Sequence, residues 1–443
     1  MNIGLISLGC DKNRVDSEKV LYYLKENGFN ITNDLNNADA LIINTCAFID
    51  EAKEESISVI LDSIEIQKKN NIKIVLIGCL ASRYFEVLKK EFPTINIVCL
   101  DRYENILEVL QNENPVFLSC NNKSLKYEKT SFDLVNIGRV STTPKHIGYL
   151  KIADGCDNFC SYCAIPFIRG RYRSIPLEIL IEEAKFLQNS GVKELMIIAQ
   201  DTTKYGIDIY GEYKLRDLLN ELIKLNFWKI KILYAYPELI DDKLIKFISE
   251  NEKIAKYIDM PIQHINDDLL KSMNRKITKK EIISKLRMIK SINPNIAIRS
   301  SFIVGYPGEN KAKFLELYEF IEEGLIQHLG VFKYSREEGT KAYNLKPQVS
   351  TKVKGERYEA IYQTQYKNVI NKNKQLIGLK KQVIIDDFDE DTDCYVGRFE
   401  QQCFDVDNVV YVKNNETIKL NEGDIIDVVI DDADFDFYAS LAC

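Results

Sequence analysis

The stretch DGCDNFCSYCAIPFIRGRYRS, residues 154–174, decides how the rest of the chain is read. It sets Cys156, Cys160 and Cys163 in a C-x3-C-x2-C pattern on one short loop. Three thiols so close can converge on one soft metal centre, because thiolates suit iron–sulfur clusters and zinc. Structural zinc takes four protein ligands. No fourth is obvious here, since the nearest histidine, His146, lies ten residues upstream. Three ligands on a four-iron cluster leave one iron open to a substrate or cofactor. Free cysteines, or cysteines holding a structural zinc, are the competing reading.

Outward from this loop the pattern is regular. Ile147–Ala153 precedes it as a short apolar run; Glu194–Ala199, Lys231–Ala235, Tyr257–Met260, Ile296–Val304 and Gly330–Tyr334 follow as strand candidates with helical spacing between them. Such alternation predicts parallel strands joined by helices. Six units predict a partial β/α barrel, whose ligands gather at the carboxyl ends of the strands, where the cysteine loop falls. Residues 350–375 predict a polar helix leading out of this region.

Upstream, residues 1–100 read as βαβαβ, an open parallel sheet. Strands are expected at Ile3–Leu8, Ala40–Asn44 and Ile72–Ile77, and helices at Asp16–Asn27 and Asp50–Lys69. Just past each strand stands a cysteine: Cys10 in LISLGC, Cys46 in LIINTC and Cys79 in IVLIGC. Parallel strands share one carboxyl edge, so these three thiols arrive at one rim. Gly9 and Gly78 precede two of them and allow the backbone to approach closely. A second three-cysteine cluster is the expectation, against core or free thiols. Cys99, Cys120, Cys394, Cys403 and Cys443 show no such convergence and read as packing or surface thiols. The polar stretch 120–131 reads as a linker.

The chain has 443 residues, 45% hydrophobic and 28% charged, the balance of a globular protein and not of a disordered or collagen-like one. No run approaches the roughly 18 apolar residues of a membrane span. The N-terminus lacks the basic start and apolar length of a signal peptide. A cytoplasmic protein is therefore expected, and there eleven cysteines point to metal, catalysis or packing instead of disulfides. The net charge of −7 hides an asymmetry: residues 376–443 carry 17 acidic and five basic side chains, net −12, which leaves +5 on residues 1–375. The acidic segment is no disordered tail. Runs such as Val383–Ile385, Val409–Val412 and Ile425–Ile430 predict short strands and a small all-β barrel. Its charge reads either as a solubilising face or as a surface for a basic partner.

Together these pieces resemble the radical S-adenosylmethionine (SAM) methylthiotransferases, and among them the RimO family, which modifies a ribosomal protein. The resemblance runs over nearly the whole chain. SLGCDKNRVDSE, INTCAFIDEAKEESI and IGCLASRY are similar to the family's N-terminal cluster-binding domain, and residues 154–174 to its radical domain. IAQDTTKYG, YIDMPIQH, MNRKIT, RSSFIVGYPGE and GVFKYSREEGT also match. GRFEQQCFDVDNVVYV looks like its TRAM domain. Asp11 stands where the family usually has proline, and Cys403-Phe404-Asp405 where it usually has Ala-Pro-Glu.

The resemblance implies an α/β fold in three domains: an open parallel α/β sheet over 1–125, a partial (β/α)6 radical-SAM barrel over 142–375 and a TRAM barrel over 376–443. It implies two 4Fe-4S clusters, one on Cys156, Cys160 and Cys163 and the other on Cys10, Cys46 and Cys79. The open iron of the first would chelate the amino and carboxylate groups of SAM, and one electron would cleave the cofactor. The radical so formed takes hydrogen from a carbon too weakly acidic for any side-chain base. No catalytic residue beyond the cofactor ligands is expected. Tyr162, Gln200 and Arg299 are candidate SAM contacts, beside the adenine, the methionyl part and the carboxylate respectively. Gln263 and His264 end the fourth strand at the same rim, and His264 reads as structure more than as a proton carrier. Arg169, Arg171 and Arg173 follow the loop and are either solvated or paired with an anion. The implied reaction is methylthiolation of an aspartate β-carbon in protein twelve of the small ribosomal subunit, a basic partner that the acidic TRAM domain would meet. A flavodoxin or ferredoxin would donate electrons. The rivals are tRNA adenosine methylthiolation, which favours a basic surface on phosphates, and a non-catalytic iron–sulfur electron-transfer or scaffold protein.

Overall fold

The computed structural model describes residues 1–120, 132–415 and 418–442. The expected linker therefore lies outside the described residues except for Cys120, and so does Cys443.

Near the N-terminus six parallel strands form one sheet: β1 (Asn2–Ser7), β2 (Asn30–Ile31), β3 (Ala40–Thr45), β4 (Lys73–Ile77), β5 (Asn96–Val98) and β6 (Phe117–Leu118), in the order β2-β1-β3-β4-β5-β6. This is a doubly wound order with its switch point beside β1 and β3. The central strand β3, ALIINT, is buried throughout, as a strand covered on both faces must be. β2, β5 and β6 were not expected: at two or three residues they carry no periodicity to read. Helix α1 (Asp11–Glu26) starts five residues before the expected helix, because Cys10, in extended conformation, serves as its N-cap. α2 (Asp50–Asn70) follows β3 and α3 (Gly78–Arg83) follows β4.

The central sheet has the six strands expected: β7 (Ile147–Lys151), β10 (Glu194–Ile198), β11 (Lys229–Ile232), β12 (Ile254–Asp259), β13 (Ala297–Val304) and β14 (His328–Lys333), adjacent in sequence order and all parallel. The expected first strand breaks at Ile152. Its tail becomes β8 (Ala153–Asp154), which pairs antiparallel with β9 (Arg173–Ser174) and closes the cysteine loop at its base. Leu150, Leu195, Ile197, Ile230, Ile258 and Ile298 face the helices, including the long helix Thr351–Asn373 through Ile361. The alternate residues Tyr149, Met196, Ile198, Ala255, Tyr257 and Ala297 face the other way. Val15 of α1 and Cys403 of the C-terminal module cover them. The open half-barrel is thus sealed on its inner face by the other two parts of the chain.

The C-terminal strands β15 (Lys380–Asp389), β16 (Cys394–Arg398), β17 (Val410–Lys413), β18 (Ile425–Ala433) and β19 (Phe437–Leu441) close a barrel in the order β15-β16-β17-β19-β18 around Val383, Ile385, Val412, Val428 and Phe437. Its attachment is ionic at the base: Arg398 donates to Asp386 (2.6 Å) and to Glu194 of β10 (2.7 Å), and the His146 Nε2 lies 2.8 Å from Asp386. Cys403 and Phe404, from the departure Cys403-Phe404-Asp405, pack against the central sheet, and Asp405 pairs with Arg14 of α1 at 3.7 Å.

A second buried network joins α1 to the central sheet. Lys151 bonds Asp16 at 2.5 Å, Lys19 meets Glu183 at 3.1 Å, and Arg139 is paired with Glu18 and Glu183. Removing one partner of a buried ion pair strands the other charge, so Arg139→Met should lower stability by about 3–5 kcal/mol. Denaturant unfolding followed by far-ultraviolet circular dichroism measures it.

Candidate functional site

Cys156, Cys160 and Cys163 occupy the loop between β8 and β9, pinned on every side. The Cys156 amide donates to the Gly170 carbonyl (3.1 Å) and that of Cys163 to Cys160 (3.0 Å). Ser161 donates its amide to the Met273 carbonyl (3.1 Å), and its hydroxyl is 2.7 Å from that of Tyr306 in the GYPG turn. Asn274 donates to the carbonyls of Asn158 (2.9 Å) and Phe159 (3.1 Å), and Asn158 to Asp201 (2.9 Å). Phe159 is held at φ 47°, a conformation that a side chain tolerates only when its surroundings impose it.

Cys10, Cys46 and Cys79 meet at the carboxyl edge of the N-terminal sheet: Cys10 caps α1, Cys46 directly follows β3, and Cys79 is the second residue of α3. The two glycines serve as expected. Gly9 sits at φ +87°, and a Cβ there would come within 2.7 Å of the Cys46 sulfur. Gly78 sits at φ +94°, and a Cβ would press to 2.5 Å on the Thr45 carbonyl. Any side chain at either position would push the cysteine loops apart. Asn13 ties the rim together, donating to the carbonyls of Leu8 and Thr45 (both 3.1 Å). Its own oxygen accepts from Arg169 at 2.5 Å and lies 3.5 Å from the Cys79 sulfur.

Arg169 connects the two sets. Almost fully buried, it bonds Asp154 (3.0 Å), directly before the first cysteine loop, as well as Asp16 (2.9 Å) and Asn13 of α1. Arg173 joins it at Asp154 (3.7 Å), while the half-exposed Arg171 pairs with Asp157 at 2.7 Å. All three arginines meet carboxylates.

Burial pushes the Cys46 thiol up to about 11 and those of Cys79 and Cys156 up to about 12, and raises Cys163 as well. A thiol so disfavoured as an anion becomes a ligand only when a cationic centre compensates its charge. Among the described residues, no three His, Cys, Asp or Glu side chains are packed closely enough to hold a single metal ion. A multi-iron cluster asks less of the sulfurs, because each one binds a different iron and the ligands stand around the cluster. Three thiols without histidine are also the donor set that a cluster prefers.

Two orphaned polar atoms lie beside the first loop. Gln200 donates to Asp154 (3.2 Å) while its Oε1 is buried without a partner. Arg275 stacks on Tyr236 (4.2 Å to the ring centre) and grips Glu238 through two bonds of 3.1 Å, leaving Nη1 buried and unsatisfied. Tyr236 itself reaches to 3.6 Å from the Cys160 sulfur. A free acceptor and a free guanidinium N–H match the ammonium and carboxylate of an amino acid. Tyr162 is half-buried beside Cys160, Tyr236 and Arg275, next to Met273 and Tyr306. Arg299 is engaged elsewhere, with Asp259 (3.3 Å) and with Asp407 of the C-terminal module (3.5 Å). Sequence reasoning passed over Asn13, Tyr236 and Arg275. Asn13 lies in SLGCDKNRVDSE and Arg275 in MNRKIT, but neither stretch says which of its polar side chains reaches the cysteines, and only the packing of α1 and of the segments beyond β11 and β12 brings the three residues there.

Gln263 stands at φ 76° on a bridge to Phe302. His264 is wholly buried, and its Nδ1 accepts from the Asn266 amide at 3.0 Å, which is a structural role. Burial pushes its pKa from 6.5 down to about 3. Folding therefore favours the neutral ring, and that stability is complete above pH 6.5 and is lost as pH falls towards 3. His264→Gln should remove up to about 1.4 kcal/mol of acid sensitivity per pH unit in that window, as read from melting temperatures at pH 7 and pH 5.

Comparisons with known proteins fit this geometry. Residues 2–99 match the Uncharacterized protein family UPF0004, residues 150–321 the Radical SAM superfamily and residues 377–441 the TRAM domain. Two relatives carry the name "Ribosomal protein uS12 methylthiotransferase RimO". One, from Thermoanaerobacter sp. (strain X514), is 43% identical over 98% of both chains. The other, from Caldanaerobacter subterraneus subsp. tengcongensis, is 46% identical over 98% of both. Among solved structures, the radical S-adenosylmethionine methyltransferase TsrM from Kitasatospora setae, with cobalamin and a 4Fe-4S cluster bound, aligns with a TM-score of 0.56 at 14% identity, covering 77% of this chain and 76% of that one. The cobalamin-dependent S-adenosylmethionine radical enzyme OxsB aligns at 0.51 and 12%, covering 82% of this chain and 56% of its own. These two likenesses establish the fold. With two cysteine triplets joined through Arg169, three matching domains and relatives of this identity along nearly its whole length, the chain belongs to the RimO family of radical SAM methylthiotransferases.

Proposed function

We propose that this protein methylthiolates the β-carbon of an aspartate in ribosomal protein uS12 of the small subunit. It would do so with SAM and two 4Fe-4S clusters, one held by Cys156, Cys160 and Cys163 and the other by Cys10, Cys46 and Cys79. When bound, these groups supply a radical able to take hydrogen from an unactivated carbon, together with the sulfur that is delivered. One observation carries the assignment. Two cysteine triplets on separate sheets, with Cys46, Cys79, Cys156 and Cys160 buried, are tied to one another through Arg169, which bonds Asp154 beside one set and Asn13 and Asp16 beside the other.

The chain's own residues bind and orient. Gln200 receives the ammonium of SAM through its free Oε1, and Tyr162 borders the adenine. Arg275 takes the carboxylate role expected of Arg299, whose two aspartates already occupy it. Ser161, Tyr306 and Asn274 keep the loop rigid, so that no reorganisation is needed when the cofactor binds. The domain limits are 1–125, 142–375 and 376–443. On the TRAM barrel, Tyr411 and Tyr438 stack at 5.7 Å between Asp389, Asp432, Asp434 and Asp436, a face suited to the Lys and Arg side chains of a basic protein. A flavodoxin or ferredoxin supplies the electron. No helix among the described residues is long and apolar enough to cross a membrane.

Anaerobic reconstitution with iron and sulfide, followed by reductant, SAM and either uS12 or tRNA, tests the proposal by mass spectrometry. Wild-type protein should bind about eight irons and yield 5′-deoxyadenosine and methylthiolated uS12. Cys156→Ala should abolish deoxyadenosine. Cys46→Ala should halve the iron and stop methylthiolation while deoxyadenosine still forms. A modified tRNA with unmodified uS12 would overturn the substrate, and the absence of deoxyadenosine from wild type would overturn the chemistry.

A further inference from the structure

Lys12, two residues past Cys10, is 5% exposed. Among the described residues no carboxylate oxygen lies within 4.0 Å of its ammonium and no acceptor takes a hydrogen bond from it. Its contact is the face of the Tyr234 ring, 2.9 Å from the ring centre. The neighbouring carboxylates are already used: Asp11 accepts from the Tyr234 hydroxyl (3.3 Å), and Asp259 accepts from the Tyr234 amide (3.0 Å) and from Arg299 (3.3 Å). Every other buried cation in this region, Lys19, Arg139, Lys151 and Arg169, has a carboxylate partner. The Lys12 stem is buried while its ammonium keeps an opening to solvent, so the charge stands without a carboxylate partner where an entering anion can reach it.

Its position is as telling. Tyr234 follows the end of β11 and is held at φ 57°, an unfavourable conformation for a bulky side chain. Two residues further on, Tyr236 reaches the Cys160 sulfur at 3.6 Å. The segment Tyr234–Tyr236 therefore touches Lys12, beside Cys10, with one ring and the first cysteine loop with the other. The free ammonium thus lies beside Cys10, on a segment whose other ring borders the first cysteine loop.

We propose that Lys12 is the anchor for a carboxylate that enters between the two sets, and that this carboxylate is the side chain of the substrate aspartate. The inference rests on the function proposed above. There the reacting β-carbon is bonded directly to the carboxyl carbon, so a charge-assisted bond to Lys12 fixes the C–H to be broken. The carboxylate of SAM is the other source of the same chemistry, and Arg275 already provides for it.

The test uses the reconstituted full-length enzyme, uS12, and a uS12 variant with the target aspartate changed to asparagine. The measurements are equilibrium binding of each protein and of SAM to wild-type, Lys12→Gln and Lys12→Arg enzyme. Wild type should prefer the aspartate form by roughly tenfold or more, since asparagine leaves the ammonium unpaired. Lys12→Gln should lose that preference and bind SAM as wild type does, while Lys12→Arg, which keeps the charge, should restore part of it. Undiminished preference in Lys12→Gln would overturn the inference. So would weakened SAM binding with the preference intact, or a shifted cluster potential as the sole change. Wild-type enzyme that binds neither form of uS12 would overturn the underlying function instead.

Discussion

The guanidinium of Arg169 is the constraint on which the site depends. It reaches Asp154, at the root of one cysteine loop, and Asp16 and Asn13, on the helix that the other set caps. A buried arginine needs partners in the directions its planar fork dictates, so satisfying it fixes how far apart the two loops stand and how they are turned. Lys151, Lys19 and Arg139 extend the same network with opposite charges on the opposing element. Buried ion pairs give little net stability over apolar packing, but they penalise every misplaced arrangement. Here they set the alignment of two sheets.

Geometry explains why the chain needs all three parts. Six strands make only part of a barrel, and the inner face of an incomplete barrel must be covered by something else. Val15 and Lys12 of α1 cover it from one side and Cys403 and Phe404 of the TRAM barrel from the other. The TRAM module is therefore packed into the body of the enzyme and is no loosely tethered appendage. Its departure from the family pattern at Cys403-Phe404-Asp405 falls on that inward contact. The Cys403 sulfur lies 3.8 Å from Met196, and a small thiol fills the place that alanine usually takes in the family.

Much of this was legible in the sequence. The six central strands appear where apolar runs of four to nine residues alternate with amphipathic segments, and the long helix Thr351–Asn373 falls on the polar stretch that predicts it. The cysteines at three strand ends and the glycines before two of them could be read because strand ends, turns and thiols each leave a local mark. β2, β5 and β6 left none, being too short for a period. The partners of Arg299 were illegible for a related reason: its place on β13 brings it to the interior, but Asp407, with which it pairs, comes from a distant loop of the C-terminal module.

The sequence by itself pointed to the class of enzyme, since the C-x3-C-x2-C loop after the first strand of a six-unit β/α pattern belongs to the radical SAM segment that the family comparison also matches. It also determined the parallel α/β character of the first two domains, because short apolar runs alternate there with amphipathic helices. Only the tertiary structure decided which charged residues serve the site. Arg169, Arg275, Arg299 and Lys12 look alike in the sequence, as basic residues near motifs. Burial separates them, by giving each cation or denying it a carboxylate from a distant part of the chain, and that pairing is a property of contact, not of spacing.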